Sequence, residues 1–234
     1  MKRLLRDVFA DVLRELDLRN AMGGEVGALL RAKVADGPLV VIAFGKGARA
    51  MAERLLHEVG RDRVRGLLVP PNGDDSALPP FEVLPGGHPL PTMGSLDAAR
   101  RALELARGIG PHEHAVFLVS GGGSAMLELP GDPATSLDEL RTLYGALVGS
   151  GAPIVAMNTV RRRFSAIKGG RLALAAAAAK SQTTLAISDV PDTDWAALAS
   201  GPTAPEPSDD EACRAVLDRH GLWQALPART VALW

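Results

Sequence analysis

Leu39-Val40-Val41-Ile42-Ala43-Phe44, running into Gly45-Lys46-Gly47, is the stretch whose reading decides the fold. Six apolar residues follow one another without a polar break, bounded by Gly37-Pro38 on one side and Gly45 on the other. A strand wetted on one face alternates apolar and polar residues. A short continuous run, rich in β-branched residues, is instead the pattern of a strand covered on both faces, the habit of parallel sheets. Ala115-Val116-Phe117-Leu118-Val119 is a second run of the same kind and leads straight into Ser120-Gly121-Gly122-Gly123-Ser124. Shorter strands are predicted at 65–69, 81–84 and 183–187. Between them lie helical patterns. Leu4, Leu5, Val8, Phe9, Val12, Leu13 and Leu16 form a stripe at period 3.6 over 4–16. Further helices are predicted over 25–34, 48–59, 96–107 behind a Ser95 cap, 137–148 behind Ser136, 153–167, 171–179, and 209–219 behind Ser208. Strands alternating with helices specify a doubly wound α/β domain: a mostly parallel sheet with helices on both faces, a Rossmann-like three-layer sandwich without an internal boundary.

Composition narrows the function. The 234 residues carry 26 basic and 27 acidic side chains, a formal charge of −1, which argues against a general nucleic-acid binder and against a polybasic membrane-surface protein. Hydrophobic residues make up 47% and aromatics only 4%, so the core is built from Leu, Val, Ile and Ala. Cys213 is the single cysteine and forms neither an internal disulfide nor a cysteine-based zinc site, which fits a reducing compartment. The most apolar run, 172–179, is eight residues long, against about 20 needed to span a bilayer. Lys2-Arg3 is followed by Arg6, Asp7 and Asp11, which interrupt any signal-peptide core. The expectation is a cytoplasmic protein with no membrane partner.

Ligands of open parallel sheets bind outside the carboxyl ends of the strands. The residues that follow the strands are therefore the first candidates: Gly45-Lys46-Gly47, Gly86-Gly87-His88-Pro89, the 120–124 run, and Ser188-Asp189. Amides at a strand–helix turn favour anions, and Lys46 adds a mobile positive charge there; a tight turn with a solvated lysine is the plainer alternative. Gly121, Gly122 and Gly123 allow backbone N–H groups to approach an oxyanion closely, with Ser120 and Ser124 as flanking hydroxyls. His88 is a candidate substrate ligand or a structural loop histidine. Asp189 can ligate Mg²⁺ or accept a proton from a substrate hydroxyl, or simply close an Asx-turn. Asp192 and Asp194 lie near enough in sequence to share a metal. Five cations fall within the eleven residues 161–171. On a continuous helix Arg161, Ser165 and Lys168 would share one face, extended by Asn158, and could clamp phosphate or carboxylate; a solvated basic face is the bland reading. No Walker loop and no Gly-x-Ser-x-Gly elbow occurs. Gly45-x-Gly47-x-x-Ala50 matches the loose dinucleotide fingerprint, but Val69 is followed by Pro70 and Pro71 rather than by an acid, and Asp74 comes late.

The motifs together resemble class II glycerate kinases. LVSGGGSAMLELP at 118–130 is similar to a signature of that family, as are NTVR at 158–161, SAIKGGR at 165–171, GHPLP at 87–91, SDVP at 188–191 and ASGPT at 199–203. They occur in the family's order from about residue 40 to about residue 220. The resemblance implies an α/β domain over 1–234 that corresponds to the family's N-terminal half, with the C-terminal MOFRL-type domain absent. It implies ATP- and Mg²⁺-dependent phosphorylation of D-glycerate to 2-phosphoglycerate, with Lys46 and Asp189 at the family's active-site lysine and aspartate. It also implies a cleft completed by a second domain, a separately encoded partner or a homodimer. Departures are Asn72-Gly73-Asp74, Arg163, and the 191–198 loop. Two other readings remain: a non-catalytic or partner-dependent binding module of the same fold, and an NAD(P)-dependent hydroxypyruvate reductase.

Overall fold

The computed structural model describes residues 22–188, 192–205 and 208–231, with the side chains of 192–195 outside the description. The expected helix over 4–16 and the candidate Asp189 lie outside the described residues. The sheet has five strands in the order β3-β2-β1-β4-β5. They are β1 (Leu39–Phe44), β2 (Val64–Val69), β3 (Phe81–Val83), β4 (His114–Ser120) and β5 (Ser181–Ile187). All four pairings are parallel. Leu39 lies opposite Val64 and His114, and Phe44 opposite Val69 and Val119, so β1 is the central strand and every one of its residues is buried.

Side-chain alternation divides these strands between two cores. Val40, Ile42, Phe44, Phe117 and Val119 face the helix α3 (Met93–Arg107) together with Leu172 and Ala176. Leu39, Val41, Ala43, Val116 and Leu118 face α1 (Gly24–Asp36) and α2 (Ala48–Val59), through Leu30, Met51 and Leu55. Removing a side chain such as Ile42 or Leu118 from water contributes roughly 1.5–3 kcal/mol, and both are fully buried. The doubly wound sandwich expected from the sequence is thus the observed architecture. A third apolar cluster lies beyond it. There α5 (Leu137–Gly149), α6 (Ile154–Phe164) and α8 (Asp210–Arg219) pack Leu143, Leu147, Val160, Cys213 and Leu217 against one another.

Several element ends differ from expectation. The N-cap of α3 is Thr92; Ser95 sits one turn in and its hydroxyl accepts the Thr92 N–H at 3.0 Å, the reciprocal half of a capping box. Asp209, not Ser208, caps α8, accepting from the Ala212 N–H at 2.8 Å. The alanine-rich helix α7 (Arg171–Ala175) stops early, because the chain must turn to enter β5, where the Lys180 N–H bonds to the Glu113 carbonyl at 2.8 Å. The largest correction concerns 153–167. The helix α6 ends at Phe164 and Ser165 is extended, since the chain leaves the helix to pair with the 129–131 segment: Gly131 N–H to the Phe164 carbonyl at 2.9 Å and Ala166 N–H to the Leu129 carbonyl at 2.8 Å.

Candidate active site

The turns after β1 and β4 lie side by side, because these strands are neighbours where the strand order reverses, the switch point at which open α/β sheets bind ligands. Hydrogen bonds stitch the two turns together. The Lys46 N–H donates to the Gly121 carbonyl at 2.9 Å, and the Gly47 N–H to the Ser120 hydroxyl at 2.9 Å. Gly45, at φ +109, has no room for a side chain: a Cβ would lie 2.4 Å from the Ser120 carbonyl oxygen. Ser120, buried, therefore serves the turn rather than a ligand, and the Gly47 amide is engaged in the same contact.

Gly122 is the point of convergence. It adopts φ +82 and opens the four-residue helix α4 (Gly123–Met126). A Cβ placed on it would meet His88 Cδ2 at 2.8 Å and Lys46 Cγ at 3.2 Å. His88 comes from the loop after β3, whose Gly87 N–H is held by the Ser95 hydroxyl at 2.9 Å. Among the described residues, the amides of Gly122 and Gly123 and the Lys46 ammonium have no hydrogen-bond acceptor. Partial burial, and then the Lys46 charge, hold the His88 imidazole below its ordinary pKa, so at neutral pH it stays uncharged and can both donate and accept. Lysine, neutral imidazole and the unengaged Gly122 amide thus meet at one edge, and the unengaged amide of Gly123, a buried residue, follows it.

The remaining candidates form the wall behind that edge. The Ser124 hydroxyl lies 2.9 Å from that of Ser200, which donates to Asn158 Oδ1 at 2.8 Å, and Asn158 Nδ2 donates to the Ala197 carbonyl at 3.3 Å. Asn158 is buried and ties α6 to the segment 192–200. Ala199 and Ser200 both adopt positive φ there, +50 and +62, a strained pair of non-glycine residues. Lys168 is fully buried; its ammonium donates to the Ser124 carbonyl at 2.8 Å and pairs with Glu128. Burial pushes its pKa down, opposed by Glu128. Arg161 stacks over the Tyr144 ring at 4.9 Å from the centroid and is also held below its ordinary pKa by burial. Its Nε is buried without a partner among the described residues.

Arg161, Ser165 and Lys168 do come together, though not on one helix face. Glu128 and Tyr144 assemble them: the Glu128 carboxylate accepts the Tyr144 hydroxyl, the Ser165 hydroxyl at 2.6 Å, the Leu129 N–H at 2.9 Å and the Lys168 ammonium, and the Tyr144 ring carries Arg161. Sequence reasoning passed over Glu128, Tyr144 and Ser200. The available signal was Glu128 itself, the lone charge in the otherwise apolar stretch 125–130. Among the described residues no cluster of three or more His, Cys, Asp or Glu side chains could hold a metal. The acids expected to do so, Asp189, Asp192 and Asp194, lie outside the described side chains. A groove of about 680 Å³ lies elsewhere, between Leu103, Leu140, Phe164, Leu174 and Leu226. It contains none of Lys46, His88 and Gly122, and the convergence of charge and open amides places the candidate site at the strand edge instead.

A parallel sheet whose switch point carries two glycine turns, a lysine and an uncharged histidine defines a Rossmann-like α/β protein with a candidate ligand edge at that switch point. The chain belongs to the family described as "Domain of unknown function (DUF4147)", whose model matches residues 4–233. It is 36% identical over 185 residues to D-glycerate 2-kinase of Thermotoga maritima, covering 79% of this chain and 44% of that protein. It is 36% identical over 230 residues to a protein of Agrobacterium vitis named putative hydroxypyruvate reductase, covering 98% of this chain and 51% of that one. A crystal structure of glycerate kinase from Thermotoga maritima superposes with a TM-score of 0.84 at 32% identity, covering 94% of this chain and 52% of that one. The resemblance to glycerate kinases drawn from the motifs is borne out, and the chain spans about half the length of the curated relatives it matches. No helix of the described residues is long and apolar enough to cross a membrane.

Proposed function

We propose that this chain forms the N-terminal half of a glycerate 2-kinase, which phosphorylates D-glycerate to 2-phosphoglycerate with ATP. The observation that carries the reading is the meeting of Lys46, His88 and the open amides of Gly122 and Gly123 at the switch point. Phosphoryl transfer depends chiefly on positioning and on neutralising charge in the transition state. Lys46 would neutralise the transferring phosphoryl group or the substrate carboxylate, and the two amides would cradle an anionic oxygen. The glycerate 2-hydroxyl oxygen bonds to the γ-phosphorus as the bond to the ADP oxygen breaks; Asp189 would orient that hydroxyl and take its proton. Alternatively, Asp189 would be the protein carboxylate that holds the Mg²⁺ entering with ATP to offset phosphate charge. Arg161 would attract a further anionic group. A second domain or a partner chain, including a second copy of this one, would cover the exposed edge. A cytoplasmic location fits such a reaction.

The relative named for hydroxypyruvate reduction supports a second reading, but the geometry beyond β2 does not favour it. Asp74, the first acid there, is held by the Arg49 guanidinium at 2.6 and 2.8 Å and is not free to bind a ribose. The test is to supply D-glycerate and Mg·ATP and follow 2-phosphoglycerate, with NADH and hydroxypyruvate as the competing assay. Kinase product that disappears in Lys46→Ala supports the proposal. NADH oxidation without kinase product overturns it.

A further inference from the structure

The buried ion pair behind the 120–124 loop has no direct route to a ligand, yet both its members are hydrogen-bonded by several residues from distant parts of the chain. Glu128 is 1% exposed and Lys168 fully buried. Burying two charges is costly, and apolar replacements of such pairs are often as stable or more so. A pair of this kind is thus weak support for stability and better suited to fixing a geometry. What it fixes is visible. Lys168 takes the carbonyl of Ser124, the last residue of the glycine run, at 2.8 Å, while at the other end of the run Ser120 binds the Gly47 amide and Gly121 the Lys46 amide. Ser165, which bonds to Glu128, also accepts the N–H groups of Ile167 and Lys168 at 3.1 and 3.2 Å, and so holds the backbone that carries Lys168. Tyr144 closes the arrangement, its hydroxyl on Glu128 and its ring 5.8 Å from the Lys168 ammonium.

We infer that Glu128 is a positioning residue: it holds Lys168 on the Ser124 carbonyl, and so keeps the amides of Gly122 and Gly123 turned towards the anion at the strand edge. The inference rests on the reading of that edge as an anion site. Lys168 acts on the site through the loop backbone rather than by touching the ligand. This explains why a cation grouped with the substrate-binding residues on sequence is fully enclosed.

The test uses the 234-residue chain, inorganic phosphate as probe, calorimetry for affinity, and a thermal melt for stability. Glu128→Gln leaves the Lys168 ammonium without its counter-charge and lowers both. The double variant Glu128→Gln/Lys168→Met removes one charge of each sign, keeps the acceptor oxygen for the Ser165 hydroxyl and the Leu129 N–H while the Tyr144 hydroxyl turns to accept from the new amide, and restores most of the melting temperature. Its phosphate affinity is expected to stay about tenfold below the parent's, equivalent to about 1.4 kcal/mol, with the Gly122 and Gly123 amide resonances displaced. A double variant that binds phosphate as the parent does shows the pair to be structural only and overturns the inference. Lys168→Met alone, which leaves Glu128 three donors, is the second variant should the double fail to fold, and unchanged phosphate affinity in it has the same consequence. A parent chain that binds no phosphate sinks both the site and this inference. A parent that binds phosphate at these amides but phosphorylates no D-glycerate, even when supplied with the C-terminal half of a full-length relative, sinks the kinase reading and leaves this one standing.

Discussion

Replacing Gly122 by alanine separates the demands of the site from those of the fold. The residue sits at φ +82, a left-handed conformation that costs an alanine roughly 1–2 kcal/mol. For a domain of this size that corresponds to a fall of roughly 2–8 °C in the melting temperature. The larger consequence is local. The new Cβ would lie 2.8 Å from His88 Cδ2 and 3.2 Å from Lys46 Cγ, whereas carbon atoms rest at about 3.5–4.0 Å. The imidazole must therefore retreat by about 1 Å, and the lysine stem by a few tenths. Both side chains are exposed and can move without disturbing the core. Misplacement of about 1 Å costs a catalytic or binding arrangement up to about 100-fold. Gly122→Ala is thus expected to fold, to melt a few degrees early, and to lose about 10- to 100-fold in phosphate affinity by calorimetry. Gly45→Ala is the contrast. Its Cβ would strike the Ser120 carbonyl at 2.4 Å, main chain that cannot swing aside, so this variant is expected to lose far more stability. Parent-like phosphate affinity in Gly122→Ala would refute the convergence, as would a stability loss equal to that of Gly45→Ala.

Other expectations can be checked one by one. Lys46→Ala removes the second cause of the low His88 pKa but not the burial that is the first, so the histidine should titrate higher while staying below 6.5 by NMR; an unchanged or lower value would show that the two side chains do not meet. Arg229 binds Asp132 and Glu139 and, with the Ser136 N–H, holds Glu139 at about 2 against an ordinary 4.5. That depressed carboxylate contributes stability fully present above about pH 4.5 and lost as pH falls through about 2. In Arg229→Ala the melting temperature should lie lower at pH 6 and fall less between about pH 4.5 and about pH 2, so that the two curves converge in acid, and curves that stay parallel from pH 6 to pH 2 would contradict the assignment. Leu118→Ala, in a strand buried on both faces, should lower unfolding free energy by about 2–5 kcal/mol in urea; a loss below about 1 kcal/mol would place the residue outside a packed core.

The two central strands were legible because β1 and β4 are covered on both faces, which leaves an unbroken apolar run in the sequence. Once they were placed, topology alone put Lys46 beside the 120–124 loop, and His88 followed from the end of β3. Where helices stop was less legible, since the stop depends on distant residues. Nothing local ends α6 at Phe164; the pairing of 164–166 with 129–131 does. The cap of α3 was misplaced by three residues because Thr92 and Ser95 both offer hydroxyls and the capping box uses both, one in each direction. Glu128 was missed because a lone acid among apolar residues announces burial without naming a partner. Its partners Tyr144, Ser165 and Lys168 are 16 to 40 residues away.

The central claim is that the edge formed by Lys46, His88, Gly122 and Gly123 is where this chain meets an anion. The most direct measurement is a titration of the isotopically labelled chain with inorganic phosphate, followed residue by residue in amide and imidazole NMR. Saturable shifts centred on Gly122, Gly123 and His88, abolished by Lys46→Ala, are the expected result. Saturable shifts centred on the groove lined by Phe164, Leu174 and Leu226, with the strand edge unmoved, would contradict it.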